Sequence, residues 1–341
     1  MRSISIAGIA QLPSKLAEHH MDAAELVQAV TALALADAGI ERKQIGFVCS
    51  GSSDYIMGQP FSFVMALDGV GAWPPIRESH VEMDGAWALY EAWVRLQHGD
   101  IDTALVYSFG KSSVGNVDDA LGMQLDPYYV APLGVSPMAL AALQARALLD
   151  ARFANERDFA QAVMRARLAG ARNPNIPTPT ATTVDALLAA PWVASPLRAH
   201  DAAVRTDGAA AIVLRAGGPG PKITGFAHRI EPHALGVRDL TTSPSARRAA
   251  DDAGASRIDV AEIHTPYASQ ETILRNALGL NDRMLVNPSG GTLVAETPMV
   301  AGLLRVVEAT RAIRDGAHRA LAHATSGPCL QHNLVCVLES T

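Results

Sequence analysis

Cysteine is scarce: the 341 residues hold three, Cys49, Cys329 and Cys336, each inside or beside an apolar strand-like run. That usage argues against a disulfide framework and fits a reducing compartment. No apolar run approaches the ~20 residues that a bilayer-spanning helix needs, and the opening apolar piece, Ile4 to Ile9, is too short for a signal-peptide core. A soluble, cytoplasmic protein is the expectation. An excess of positive charge is also missing. Basic residues number 28 against 34 acidic ones, net −6, and are scattered, which excludes the electrostatic footprint of a nucleic-acid binder. No G-x-G-x-x-G follows the first strand and no P-loop occurs, so neither a dinucleotide nor ATP is indicated. Cys329, His332 and Cys336 have zinc-like letters, but on an alternating strand they would not share a face, and no fourth ligand accompanies them. No metal is expected.

What is present is apolar and alternating. With 49% hydrophobic residues, the chain can bury a large core as one double-sized domain or two fused ones. Ser3 to Ile9 reads as a strand. Asp22 with Glu25 three residues on starts a helix that Gly39 ends, and Ile45 to Cys49 is a second strand. Gly85 to His98 predicts a buried helix with Asp84 at its start. Thr103 to Phe109 is apolar almost throughout, as a parallel strand covered on both faces should be. Residues 120–190 differ: Pro-rich connections join helices at Pro137 to Asp150, Asn155 to Gly170 and Thr182 to Ala190, which suggests an inserted cap. Strands resume at Gly208 to Leu214. The class is α/β.

The second half repeats the first. "QHGDIDTALVYSFG" (97–110) and "IRDGAHRALAHATSG" (313–327) both run from a helix end through a glycine turn into a strand. "IGFVCSGS" (45–52) and "IDVAEIHTPY" (258–267) both put a strand before a polar loop. The likeness suggests a duplicated βαβ architecture, with shared α/β grammar as the other source of it. Residues 1–119 and 191–215 form the first half, 120–190 the inserted cap or loop region, and 216–341 the second half.

In order, "TDGAAAIVL" (206–214), "NPSGG" (287–291) with "TLVAETPMVAG" (292–302), and "LAHATSGPCLQHNLVCVL" (321–338) resemble the marker segments of the thiolase superfamily. The likeness is closest to the sterol-carrier, lipid-transfer-protein-type thiolases that are subunits of steroid side-chain aldolases, enzymes of cholesterol catabolism. It covers essentially the whole chain. It implies a thiolase-like fold with two βαβαβ halves in α/β/α/β/α layers.

The resemblance also locates a site. The family's nucleophilic cysteine falls on Asp84, which is either a helix cap or a base or polar anchor, and which rules out covalent cysteine thiolysis. The family's activating histidine falls on Thr297 of Glu296-Thr297-Pro298. Glu296 is expected either to stand in as an acid or base or, being next to Pro298, to favour the dipole of a helix from Met299 to Ile313. The final cysteine motif falls on Ala324 to Gly327, which leaves Cys329 a few positions late.

"HTPY" (264–267) keeps the family's histidine. His264 is expected to donate to a developing enolate and Tyr267 to act on a hydroxyl, or both to be structural. His323 matches a polar place at the pocket floor. Asn287, Ser289, Gly290 and Gly291 either line an acyl or thioester pocket or make a tight structural turn.

Two functions are therefore expected. One is a lyase subunit that cleaves a β-hydroxyacyl-CoA by retro-aldol chemistry. The other is an inactive partner that stabilises an active chain, with a degenerate acyltransferase as a further alternative. No cofactor is implied beyond the coenzyme A that carries the substrate. The implied partners are a second thiolase-like chain and a small zinc-ribbon/OB-fold protein, with neither nucleic acid nor membrane.

Overall fold

The computed structural model describes residues 2–71 and 75–341. The first half runs β1 (Ile4–Gln11), α1 (Ala23–Ala38), β2 (Phe47–Gly51), α2 (Asp54–Met57), α3 (Ser62–Val70), β3 (Glu78–Val81), α4 (Gly85–His98), β4 (Thr103–Gly110) and α5 (Val117–Met123). Next come α6 (Pro137–Asp150), α7 (Glu156–Gly170), α8 (Val184–Ala189), the short β5 (Trp192–Ala194) and β6 (Leu197–Arg198), and β7 (Gly208–Ala216). The second half is β8 (Lys222–Ile230), α9 (Pro244–Asp252), β9 (Val260–Ile263), α10 (Ala268–Ala277), β10 (Leu285–Val286), α11 (Ala301–Arg314), β11 (Arg319–Ser326) and β12 (His332–Glu339).

Ten strands hydrogen-bond in the order β10-β9-β11-β12-β8-β1-β7-β4-β2-β3. The order is a palindrome about the β8–β1 junction, where Ile4 pairs with Ile223 and Ser5 with Lys222. In each half two strand pairs are parallel and two antiparallel, in the same positions. The duplication expected from the sequence is present in the fold.

Alternation along the strands sorts side chains into layers. Ala104, Val106, Ile212 and Leu214 of the first half, with Ala320, Ala322, Leu334 and Cys336 of the second, meet α4 and α11 in one central core. Leu105, Tyr107 and Val213 face the opposite way and pack under α1 and α3. Leu321, Val335 and Val337 pack under α6, α7, α9 and α10. Helices α6 and α7, from the segment read as a cap, thus help to form the second half's outer layer. These are the expected five layers.

Helix α4 owes its central place to an apolar surface that nearly encircles it: Ala86, Trp87, Ala88, Leu89, Ala92 and Leu96 are all buried. Each large side chain among them contributes roughly 1.5–3 kcal/mol by leaving water.

One boundary is corrected. The helix expected from Met299 begins at Ala301. Met299 adopts a left-handed φ of 69°. In that pose its carbonyl accepts from the Gly85 amide at 2.8 Å and the Ser108 hydroxyl at 2.5 Å, so the chain turns here before the helix starts.

Candidate active site

Asp84 is the N-cap of α4, and its carboxylate serves two helices. Oδ1 accepts from the amides of Ala86 (2.8 Å) and Leu303 (3.0 Å), and Oδ2 from that of Gly302 (2.8 Å). The N-cap position of α11, Val300, supplies no side-chain bond of its own. Glycine at 302 is required by this arrangement, because a Cβ there would lie 2.6 Å from Asp84 Oδ1 and 2.6 Å from Ala324 Cβ. Burial pushes the carboxyl upward, against the opposing pull of His264 and the three amides. With both oxygens held by amides, Asp84 is a shared cap, the first of the two roles expected for it. Asp84→Ala strands three buried N–H donors and is expected to cost about 3 kcal/mol in urea unfolding, with Asp84→Asn recovering part of the loss.

The capped end of α4 forms one side of a cavity of about 480 Å³. Ile56, Met83, Leu121, Leu125 and Leu140 give it an apolar wall. The polar part of the lining comes from segment ends: His264 after β9, Tyr267 at the start of α10, Glu296 in the turn before α11, and Thr325 in β11.

His264 Nε2 lies 3.2 Å from Glu296 Oε1, and its Nδ1 accepts from the Thr325 amide at 3.4 Å. An amide can only donate, so Nδ1 carries the lone pair and Nε2 the proton. The His264 donor is thus engaged by Glu296 and its acceptor by the Thr325 amide.

Glu296 is buried inside the cavity, away from the helix dipole to which the sequence assigned it. Burial raises its pKa, but Arg205 and the His264 bond outweigh that and hold it below the usual carboxylate range. Burial pushes the Tyr267 phenol well up, with Glu296 adding to the effect, so it stays protonated as a donor.

Neither Thr297 nor Cys329 restores covalent chemistry to this lining. Thr297 turns its hydroxyl to that of Thr206, 2.9 Å away. The Cys329 thiol, pushed up to about 11 by burial, donates to the Leu140 carbonyl at 3.4 Å.

The five residues expected to bind substrate lie elsewhere, and each has a structural task. Asn287, at φ 50°, accepts the Ile263 amide at 2.7 Å through Oδ1. The Ser289 hydroxyl donates to Glu262 at 2.8 Å and accepts from Arg305 at 3.0 Å, within a buried Glu262–Arg305 ion pair of 2.6 Å. Gly290 lets the chain pass Gly170, whose Cα would lie 2.7 Å from an added Cβ, and Gly291 leaves room for the Asn287 amide. His323 faces the outer layer, its Nε2 2.9 Å from Asn333 Oδ1. The structural alternative for the "NPSGG" turn is the one observed.

Glu296 was underweighted by the sequence reasoning and Arg205 was missed by it. Their link to His264 crosses 32 and 59 positions of chain, and no spacing rule spans such distances.

No family model matches the sequence, and no curated protein matches it. Solved structures do match over the full chain. The Ltp2-ChsH2(DUF35) aldolase superposes with a TM-score of 0.83 at 18% identity, covering 99% of this chain and 98% of that one. The Bacillus anthracis acetyl-CoA acetyltransferase superposes with a TM-score of 0.81 at 14% identity, covering 100% and 99%. The thiolase-like fold expected from the sequence segments is therefore borne out.

Proposed function

We propose that the chain is the thiolase-like subunit of an acyl-CoA carbon–carbon lyase, one that cleaves a β-hydroxyacyl-CoA by retro-aldol chemistry. One observation carries this reading. Where acyl transfer needs a thiolate and an activating imidazole, the molecule has an amide-bound carboxylate and a buried threonine, while an oriented imidazole and a phenol share the same cavity.

In the proposed reaction His264 Nδ1 takes the proton of the substrate β-hydroxyl. The 3.4 Å bond from the Thr325 amide is at the long end, which leaves that lone pair open to a stronger donor. The O–H electron pair forms the new carbonyl, the Cα–Cβ bond breaks, and its electrons pass to the departing thioester as an enolate. Tyr267 donates to the enolate oxygen, and the imidazolium returns its proton to carbon. No covalent intermediate forms. Glu296 holds the ring in the tautomer this requires.

The apolar wall suits a hydrocarbon, and a steroid side chain is the substrate class we propose from the sequence resemblance. We place the chain in a hetero-oligomer with a second thiolase-like chain and a small zinc-ribbon/OB-fold protein. Two observations support this. Tyr128, Tyr129 and Leu133, on the segment that follows α5, are 82%, 79% and 73% exposed. One of the similar structures, the Ltp2-ChsH2(DUF35) aldolase, is named for two components. A cytoplasmic site of action goes with this reading. No described helix is long and apolar enough to cross a membrane.

The second reading, an inactive partner, is favoured by the fact that both His264 nitrogens and both Asp84 oxygens already have partners within the chain. Incubating the purified chain, alone and with candidate partners, with a β-hydroxyacyl-CoA separates the two. Release of a ketone and a shorter acyl-CoA, with no acylated protein by intact mass, is the expected result. An acyl adduct on the chain, or equal cleavage by the partner alone, would overturn it.

A further inference from the structure

Arg205 precedes β7, and its backbone runs beside Glu296. The Glu296 amide donates to the Val204 carbonyl at 2.8 Å, and the Thr206 amide donates to the Glu296 carbonyl at 2.9 Å, so the two residues are held abreast. From there the guanidinium reaches Glu296 Oε2 at 3.7 Å and Asp118 Oδ1 on α5 at 3.5 Å. The arginine side chain is 36% exposed and that of Glu296 10%, which sets the cation at the rim and the carboxylate inside.

We propose that Arg205 is a positioning residue: it keeps Glu296 ionised and aimed, so that Glu296 holds His264 with the proton on Nε2 and the lone pair on Nδ1. His264 and Tyr267 face Glu296 from the end of β9 and the start of α10, and Asp118 stands behind Arg205. Asp84 from α4 and His323 from β11 act on it only through His264. Among these groups Arg205 alone carries a fixed positive charge.

Without that charge, burial would act against the ionised Glu296 carboxylate with only the His264 contact left to oppose it. A protonated Glu296 would donate to Nε2 and drive the ring proton to Nδ1, which would abolish the Nδ1 lone pair. The inference rests on the retro-aldol reading only for its effect on turnover, since the tautomer is a property of the free protein.

The test is 15N NMR of the His264 ring at neutral pH in the free full-length protein, with Arg205→Gln, Arg205→Lys and Asp118→Asn. In the wild type the bare nitrogen is expected to be Nδ1, and in Arg205→Gln it is expected to be Nε2. Arg205→Lys should retain most of the wild-type pattern, and Asp118→Asn, which leaves the guanidinium to Glu296 alone, should keep it in full. In turnover, Arg205→Gln is expected to lower kcat roughly ten-fold, with Arg205→Lys close to the wild type. An Arg205→Gln ring whose bare nitrogen is still Nδ1 overturns the proposal. A changed tautomer in a protein that cleaves no substrate upholds it and overturns the retro-aldol reading instead.

Discussion

Replacing His264 by glutamine is expected to lower kcat for carbon–carbon cleavage roughly 10²–10⁴-fold, the usual worth of a positioned general base. Glutamine is the informative choice. Its amide can still donate to Glu296 Oε1, where Nε2 now sits at 3.2 Å, so the buried carboxylate keeps a partner and the fold keeps its stability. Alanine would remove the base and also leave Glu296 short of a donor, which mixes two losses. Tyr267→Phe is expected to cost about 10²-fold in the same assay, by removing the donor to the enolate. Steady-state kinetics beside a thermal melt separates the effects. A kcat that survives His264→Gln within a factor of two or three would remove His264 from the chemistry and turn attention to the partner chain.

His323 should govern how the protein responds to acid. It is fully buried, its Nε2 is spent on Asn333, and its Nδ1 has no partner among the described residues. Burial pushes its pKa down to about 3 from an ordinary 6.5. Such a group is neutral in the native state, while the unfolded chain takes up a proton below 6.5. Stability is therefore complete above pH 6.5 and is lost as pH falls toward 3. Between pH 6.5 and about 5, where most carboxylates are still ionised, the loss from this residue alone is about 2 kcal/mol, rising to roughly 4–5 kcal/mol by its native pKa. His323→Gln keeps a donor for Asn333 and cannot titrate, so urea midpoints of the variant should fall less steeply over that range. Parallel pH profiles for the two proteins would show that the native state admits the proton after all.

The sequence exposed the fold better than the site. Helix α4 was legible because its cap, its apolar surface and its closing glycine are contiguous, and the duplication because both halves repeat the same local grammar. His264 and Tyr267 were found through one tetrapeptide, and both line the cavity.

The substrate-binding assignments failed for a different reason. Small residues mark places where backbone comes close to something, and the sequence does not say whether that something is a ligand or another strand. At Gly290 it is Gly170, and at Gly291 it is the Asn287 side chain. For His323 the alternation of β11 fixed that it opposes Ala322 and Ala324, yet which face was the inner one depended on α11. The bond between Asn333 and His323, on paired strands, was the signal that could have placed it. Glu296 was assigned to a helix start because the sequence does not reveal that Met299 turns left-handed first.

The carboxylate of Asp84 has a consequence for how the molecule comes apart. It ties the first turn of a helix from one repeat to that of its counterpart, and β1 lies edge to edge with β8, so neither repeat closes a core alone. A single repeat expressed by itself would present a bare strand edge, and the second would also lose the cap of α11, an invitation to self-association. The two halves are expected to unfold together, in one transition by circular dichroism.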